Sequence, residues 1–362
     1  MDFALSDDQR AIQGAARDFL TDAASPEVIR AVVEGTTGFD ESLWQALAGE
    51  MGFAGLMVPE THGGLGLGAV EMALVLEEMG RMLAPVPFFE TAVLAVQAVL
   101  AAGNEAQHTT LLPRLCAGTR ACFAGTADRP TLSGDRLTGT AHFVTFGHVA
   151  ELIVVATADD SLIVLERSTP GLTVEALPSL DRTRRFATLT FDCAVTPDMV
   201  LGEAGGAQAA IARTLSIGAG LLAAEQTGGM QYSLDATVDY AGQRVQFGRQ
   251  IGSFQAYKHM LADMMLLVEA SRSAAYYAAA AIDEDGEELA EACHIARTYA
   301  SDAYCSISGD AIQLHGGIGF TWEHHAHLYF KRARATASWL GSADTHREAL
   351  AKLLLDGDRV AA

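Results

Sequence analysis

What this sequence has little of narrows the field first. Cysteine is scarce: five in 362 residues (Cys116, Cys122, Cys193, Cys293 and Cys305), an odd number with no CxxC spacing. That excludes a disulfide framework and reads as small buried hydrophobes in a reducing, cytoplasmic compartment. Positive charge is also short, with 24 Lys and Arg against 45 Asp and Glu and a net charge of −21. Such a field repels polyanions and excludes nucleic acid and anionic membrane surfaces as partners. A small anionic ligand would depend on locally placed Arg or Lys. No apolar run approaches the about 20 residues that cross a bilayer; the Ala-rich run 274–282 is too short. The first eight residues carry neither a basic nor an apolar region, so no leader peptide is expected.

What is present is half hydrophobic, enough for a globular chain of two or three domains. Residues 1–118 read as helical. Ser6 with Gln9 forms a capping-box start, followed by Ile12, Ala15, Ala16, Phe19 and Leu20 at helical spacing. Asp40 stands where a second helix needs a cap. The cluster Gly63-Gly64-Leu65-Gly66-Leu67-Gly68 loosely imitates a dinucleotide fingerprint. That motif needs a strand before it and a βαβ unit around it, and helices flank it here, so the dinucleotide reading is rejected.

Residues 119–205 change texture. Leu152–Ala156 and Leu162–Leu165 are β-branched runs joined by a turn, which signals a hairpin, and Thr188–Cys193 alternates as a half-buried strand does. From 206 to 362 the helical pattern returns, in long segments with few prolines that suit a bundle packing on more than one face. The expected fold is therefore α+β: an N-terminal α-domain (1–118), a small β-barrel or sandwich domain (119–205) and a C-terminal four-helix bundle (206–362).

Two turns could carry chemistry. Arg244-Val245-Gln246-Phe247-Gly248 sets a guanidinium, an amide and a ring within four residues, a set suited to a pyrophosphate and its attached base. Gln313-Leu314-His315-Gly316-Gly317-Ile318-Gly319-Phe320 ends a helix in glycines that let backbone approach a bulky ligand. Each alone reads first as an inter-helix turn. Glu323-His324-His325-Ala326-His327 is not a metalloprotease helix, since adjacent His side chains diverge, and a surface or interface role is expected.

In this order, with Val58-Pro59-Glu60, Asp181–Arg185, Val200-Leu201-Gly202-Glu203 and Phe254-Gln255, these features resemble the acyl-CoA dehydrogenase family over essentially the whole chain. The resemblance implies bound FAD, an acyl-CoA substrate, electron-transfer flavoprotein as acceptor, and subunits that pair into dimers and tetramers. It also implies that one FAD spans two subunits. Arg244, Gln246, Phe247, Ile251, Gln313, Gly316 and Gly317 match the contacts made to the partner's pyrophosphate and adenosine. Phe143 and Thr145 match the flank of the flavin, with Phe where Trp is commoner, and Ser342 matches a hydroxyl position that is usually Thr.

The departures are as telling. The family's Thr-Glu-Pro and Gly-Ser-Asp are missing from the 121–130 region. The family's catalytic Glu occupies one of two places, which here hold Leu340 and Gly218, and neither side chain accepts a proton. Glu225 and Asp344 are the nearest substitutes, at uncomfortable spacings. The implied function is the subunit of a heteromeric (α2β2) acyl-CoA dehydrogenase that lacks the base and completes the FAD site of a homologous partner. The alternatives are a self-sufficient homotetramer with a displaced carboxylate, and a scaffold subunit without redox chemistry.

Overall fold

The computed structural model describes residues 5–355; the first four residues, on which part of the leader reading rests, lie outside it. In chain order the helices and strands run α1 (Asp7–Ala23), α2 (Pro26–Glu34), α3 (Glu41–Gln45), α4 (Ala69–Met82), α5 (Val96–Ala102) and α6 (Glu105–Cys116). Next come β1 (Ala121–Ala124), β2 (Thr131–Ser133), β3 (Arg136–Thr145), β4 (Leu152–Ala156), β5 (Leu162–Glu166), β6 (Leu172–Ala176) and β7 (Phe186–Ala194). The remainder is α7 (Gln208–Gln243), a hairpin of β8 (Val245–Gln246) and β9 (Arg249–Gln250), then α8 (Gln255–Glu284), α9 (Leu289–His315), α10 (Ala326–Thr336) and α11 (Ala343–Leu355). This is the expected succession of helical, β and helical parts.

Several local signals act as read. Ser6 accepts from the Gln9 amide while the Gln9 side chain returns to the Ser6 amide, a complete capping box, and Asp40 caps α3 through the Leu43 amide. The 63–68 glycines follow a 3₁₀ turn at Glu60–His62, not a strand, which removes the dinucleotide reading structurally.

Compactness divides the chain into two units, Met1–Ile29 with Ala69–Ala84 and Ala219–Ala362, and Arg30–Gly68 with Pro85–Gly218. In the second unit, β1, β4 and β5 form one sheet, with β1 parallel and β5 antiparallel to β4, while β2-β3-β7-β6 form an antiparallel sheet. Alternate inward residues, among them Leu137, Ile153, Leu165, Leu189 and Phe191, close a single core between the sheets. The β4–β5 pairing, Leu152 opposite Glu166, is the anticipated hairpin.

In the first unit the long helices pack as a bundle, with α9 burying Ala292, Cys293, Ala296, Arg297, Ala300, Ala303, Tyr304, Ile307 and Ala311 at helical intervals. α4 and α7 cross unusually closely. A Cβ on Gly80 would overlap the Glu225 carbonyl, and one on Gly228 would overlap the Glu77 carbonyl. Only glycine permits that approach.

Candidate functional site

The two turns singled out in the sequence meet in space. Tyr240, Arg244, Gln246, Ile251, Gln313, Gly316 and Gly317 line one open cleft of about 590 Å³ in the first unit. The end of α7, the β8–β9 hairpin and the 3₁₀ turn at Ile251 form one wall, and the end of α9 with its glycine loop the other. Tyr257 on α8 donates to the Leu314 carbonyl at 2.9 Å, and Tyr240 on α7 stacks on His315 with centroids 4.7 Å apart. These two contacts fix the Gly-Gly loop against the Arg turn.

The glycines are there for backbone reasons as well as for space. Gly316 caps α9 at φ 65°, ψ −147°, a region that side chains essentially forbid. A Cβ on Gly316 or Gly317 would point into open space, so no packing within this chain requires both to be bare. The hairpin turn is stranger. Phe247 and Gly248 both take positive φ (53° and 78°), as a two-residue primed turn demands, yet the first is an aromatic and is 93% exposed. Phe254 meets its ring edge-on at 6.3 Å and is itself covered by the Arg249 guanidinium at 3.9 Å.

This cradle fits the pyrophosphate and adenosine end of FAD. A guanidinium can fork onto phosphate oxygens, the Gln246 and Gln313 amides can donate, and two bare glycines leave the backbone open to the ligand. In the second unit, Phe143 sits at φ 56° on a bulge of β3, which turns its ring outward, 59% exposed and edge-on to Phe186 at 6.1 Å. Thr145, one pair from the bulge, is buried.

Ser342 does not line the cleft. It is the cap of α11: its hydroxyl lies 2.9 Å from that of Thr345 and accepts from the Thr345 amide at 3.2 Å. The loop before it is held by two groups the sequence did not announce. Arg297, fully buried on α9, donates to the carbonyls of Thr336 (2.6 Å), Trp339 (2.8 Å) and Gly341 (3.0 Å). Burial pulls its pKa down to about 10, so it stays charged at neutral pH.

His346 Nε2 lies 2.8 Å from the Leu340 carbonyl, and its Nδ1 lies 2.7 Å from His294 Nδ1. A carbonyl can only accept, so Nε2 carries the proton and Nδ1 accepts from His294. Burial pushes the His346 pKa down to about 4 and lowers that of His294 as well. Leu340 itself is buried and strained at φ 58°. Arg297 was detectable only as a lone cation on the apolar stripe of α9.

The substitute carboxylates have other engagements. Glu225 meets Arg332 at 2.8 Å with both side chains nearly inaccessible, and Asp344 pairs with Arg347 at 2.5 Å on the exposed first turn of α11. Gly218 lies buried within α7. Within the His cluster, His324 and His325 are half-buried, His327 is buried edge-on to Trp322 at 4.7 Å, and His324 packs on His315 at 4.3 Å. No described helix is long and apolar enough to cross a membrane.

Comparison with known proteins agrees with this architecture. Residues 6–119 match the acyl-CoA dehydrogenase N-terminal domain and residues 204–355 the acyl-CoA dehydrogenase C-terminal domain. The chain is 34% identical to the acyl-CoA dehydrogenase IpdE2 of Mycolicibacterium smegmatis, over 93% of this chain and 96% of that one. Among solved structures it resembles the ChsE4–ChsE5 complex from Mycobacterium tuberculosis (27% identity, TM-score 0.89, 98% and 99% coverage). It also resembles the steroid ACAD Tcur3481–Tcur3483 (32% identity, TM-score 0.85, 97% and 99% coverage). From its first helix to its last, this chain belongs to the acyl-CoA dehydrogenase family.

Proposed function

We propose that this chain is the subunit of a heteromeric, FAD-dependent acyl-CoA dehydrogenase that completes a homologous partner's flavin site and supplies no catalytic base. One observation carries the reading. Arg244, Gln246, Ile251, Gln313, Gly316 and Gly317 converge on a single cleft, while the family's two base positions hold Leu340 and Gly218. The binding half is kept and the proton-accepting half is not.

FAD, when bound, supplies the hydride acceptor for α,β-desaturation of an acyl-CoA. Arg244 would neutralise the pyrophosphate charge, and the Gln246 and Gln313 amides would hold its oxygens. Gly316 and Gly317 keep Cβ atoms out of the ligand's way. Phe247, strained and almost wholly exposed, is presented outward as a surface for a ring or a neighbouring subunit. Removal of the α-proton needs a carboxylate against the substrate, which the partner would contribute. Leu340 keeps the shape of the catalytic loop without its acid.

The ChsE4–ChsE5 relative, a complex of two subunits, supports the heteromeric reading, and the steroid ACAD relative supports a lipid or steroid side-chain thioester as the substrate class. Electron-transfer flavoprotein is the proposed acceptor. The cytoplasm is the proposed location, on the strength of five unpaired cysteines.

Co-expression with a homologous subunit that carries the Glu, followed by measurement of flavin per protein, tests the proposal. The expected result is a co-purifying heteromer with turnover, flavin-poor when this chain is made alone. Arg244→Ala should weaken flavin retention in the heteromer by about 10- to 100-fold, the loss of one charge-assisted contact. A homotetramer of this chain with one FAD per subunit and full dehydrogenase activity would overturn it.

A further inference from the structure

A second cluster of donor groups lies in the other unit, where nothing in the flavin reading uses it. His62 closes the 3₁₀ turn Glu60–His62, and Glu105 and His108 stand three residues apart on the first turns of α6, so the latter two share a face. One donor atom from each of the three lies within 4.8 Å of the others. The His62 Nε2 to Glu105 Oε1 distance is 3.9 Å, and the two imidazoles meet edge-on with centroids 5.7 Å apart. We propose that His62, Glu105 and His108 form a binding site for a divalent transition metal of the Zn²⁺ class, which clips the glycine-rich 63–68 segment to α6.

The chemistry of the donors favours this class. Two imidazoles and a carboxylate are the ligand set of borderline cations; Mg²⁺ and Ca²⁺ prefer all-oxygen shells. His108 Nε2 lies 3.0 Å from the Val99 carbonyl. Because a carbonyl can only accept, Nε2 carries the proton and Nδ1 keeps the lone pair a metal requires, with the carbonyl as the outer support such ligands usually have. The His62 side chain is 12% exposed, and among the described residues its ring has no hydrogen-bond partner, only the distant Glu105.

The half-buried His62 imidazole thus keeps a ring nitrogen free for a metal. Tetrahedral ligands at about 2.0–2.1 Å from zinc stand roughly 3.3 Å apart, so the three groups need move by only about an ångström to close on the ion. Glu105 is 80% exposed on its side chain, which leaves the ion open to water and makes the site exchangeable.

The test uses the full chain, stripped of metal with a chelator and titrated with Zn²⁺ against a chromophoric competitor. One Zn²⁺ should bind per chain with sub-micromolar affinity, raise the melting temperature, and be reversed by the chelator. The chain has eleven histidines, so location must be separated from stoichiometry. His62→Ala combined with Glu105→Gln should weaken that binding more than about 100-fold, beyond what loss of an outer support costs. Both side chains lack other bonds, so without metal this variant should melt within a few degrees of the parent. The proposal is overturned by failure to bind one equivalent, or by binding that the double variant leaves unchanged.

Discussion

The Arg332 guanidinium lies 2.8 Å from a carboxylate oxygen of Glu225, and neither side chain is more than 4% accessible. Glu225 sits where α7 meets α4, beside Gly80, which has no Cβ because the Glu225 backbone occupies its place. The pair is thus part of the helix packing. Arg332→Met should cost about 3–5 kcal/mol, since it strands a buried charge, and replacing both partners by apolar residues should cost less than the sum of the single changes. Chemical denaturation of the four proteins gives the coupling. Glu225→Gln strands the Arg332 charge and should lower the unfolding midpoint likewise; a loss of turnover in the complex beyond what that destabilisation explains would mark Glu225 as the base.

Arg297 performs a comparable task for the loop that ends at Ser342. Arg297→Met leaves the carbonyls of Thr336, Trp339 and Gly341 without their donor. These contacts all come from Nη2, whose two hydrogens serve two full bonds, so at about 1–3 kcal/mol for each buried group left unpaired a loss of at least about 2 kcal/mol is expected. Hydrogen exchange should quicken selectively in the 336–342 amides. A loss under about 1 kcal/mol, or exchange that quickens evenly along the chain, would contradict the bracing role.

Gly316 and Gly317 separate backbone from ligand effects. Gly316→Ala forces a side chain into a glycine-only conformation and should destabilise the chain by about 1–3 kcal/mol. Gly317 is not at positive φ and its Cβ would meet nothing within the chain, so Gly317→Ala should leave the melting temperature nearly unchanged. The same substitution should nonetheless lower flavin content in the heteromer, because the methyl group occupies the cradle. Normal flavin content in Gly317→Ala would show that the ligand does not approach there.

Acid should act through His346. Its pKa in the fold is about 4, below the ordinary value of 6.5, so between these limits the unfolded chain binds more protons than the folded one. Stability is therefore fully present above pH 6.5 and declines as pH falls towards 4. His294 contributes in the same direction. Unfolding midpoints measured from pH 7.5 to 4.5 should fall, and His346→Gln, whose amide can still donate to the Leu340 carbonyl, should flatten that slope. An unchanged slope in the variant would assign the acid sensitivity to other groups.

The sequence by itself determined a great deal here, because the signals were local or ordered along the chain. Ser6 with Gln9 and Asp40 with the Leu43 amide act within one turn, and the β4–β5 hairpin within the 15 residues from Leu152 to Glu166. The succession of motifs was specific enough to identify the family, and the absence of acid at Leu340 and Gly218 is a matter of residue identity alone. Tertiary structure decided what distance along the chain conceals. Arg244 and Gly316 stand on different helices' ends, and only the packing of α7, α8 and α9 brings them to one cleft.

The same holds for the groups that hold or occupy the candidate residues. Glu225 looked available until Arg332, 107 positions later, was placed against it. Arg297 looked like one more helix residue until the fold aimed it at three carbonyls. Ser342 looked like a ligand hydroxyl, and the start of α11 made it a cap. Residue type sets which interactions are open to a side chain; which partner takes them is fixed by contacts between distant segments, and those exist only once the helices have packed.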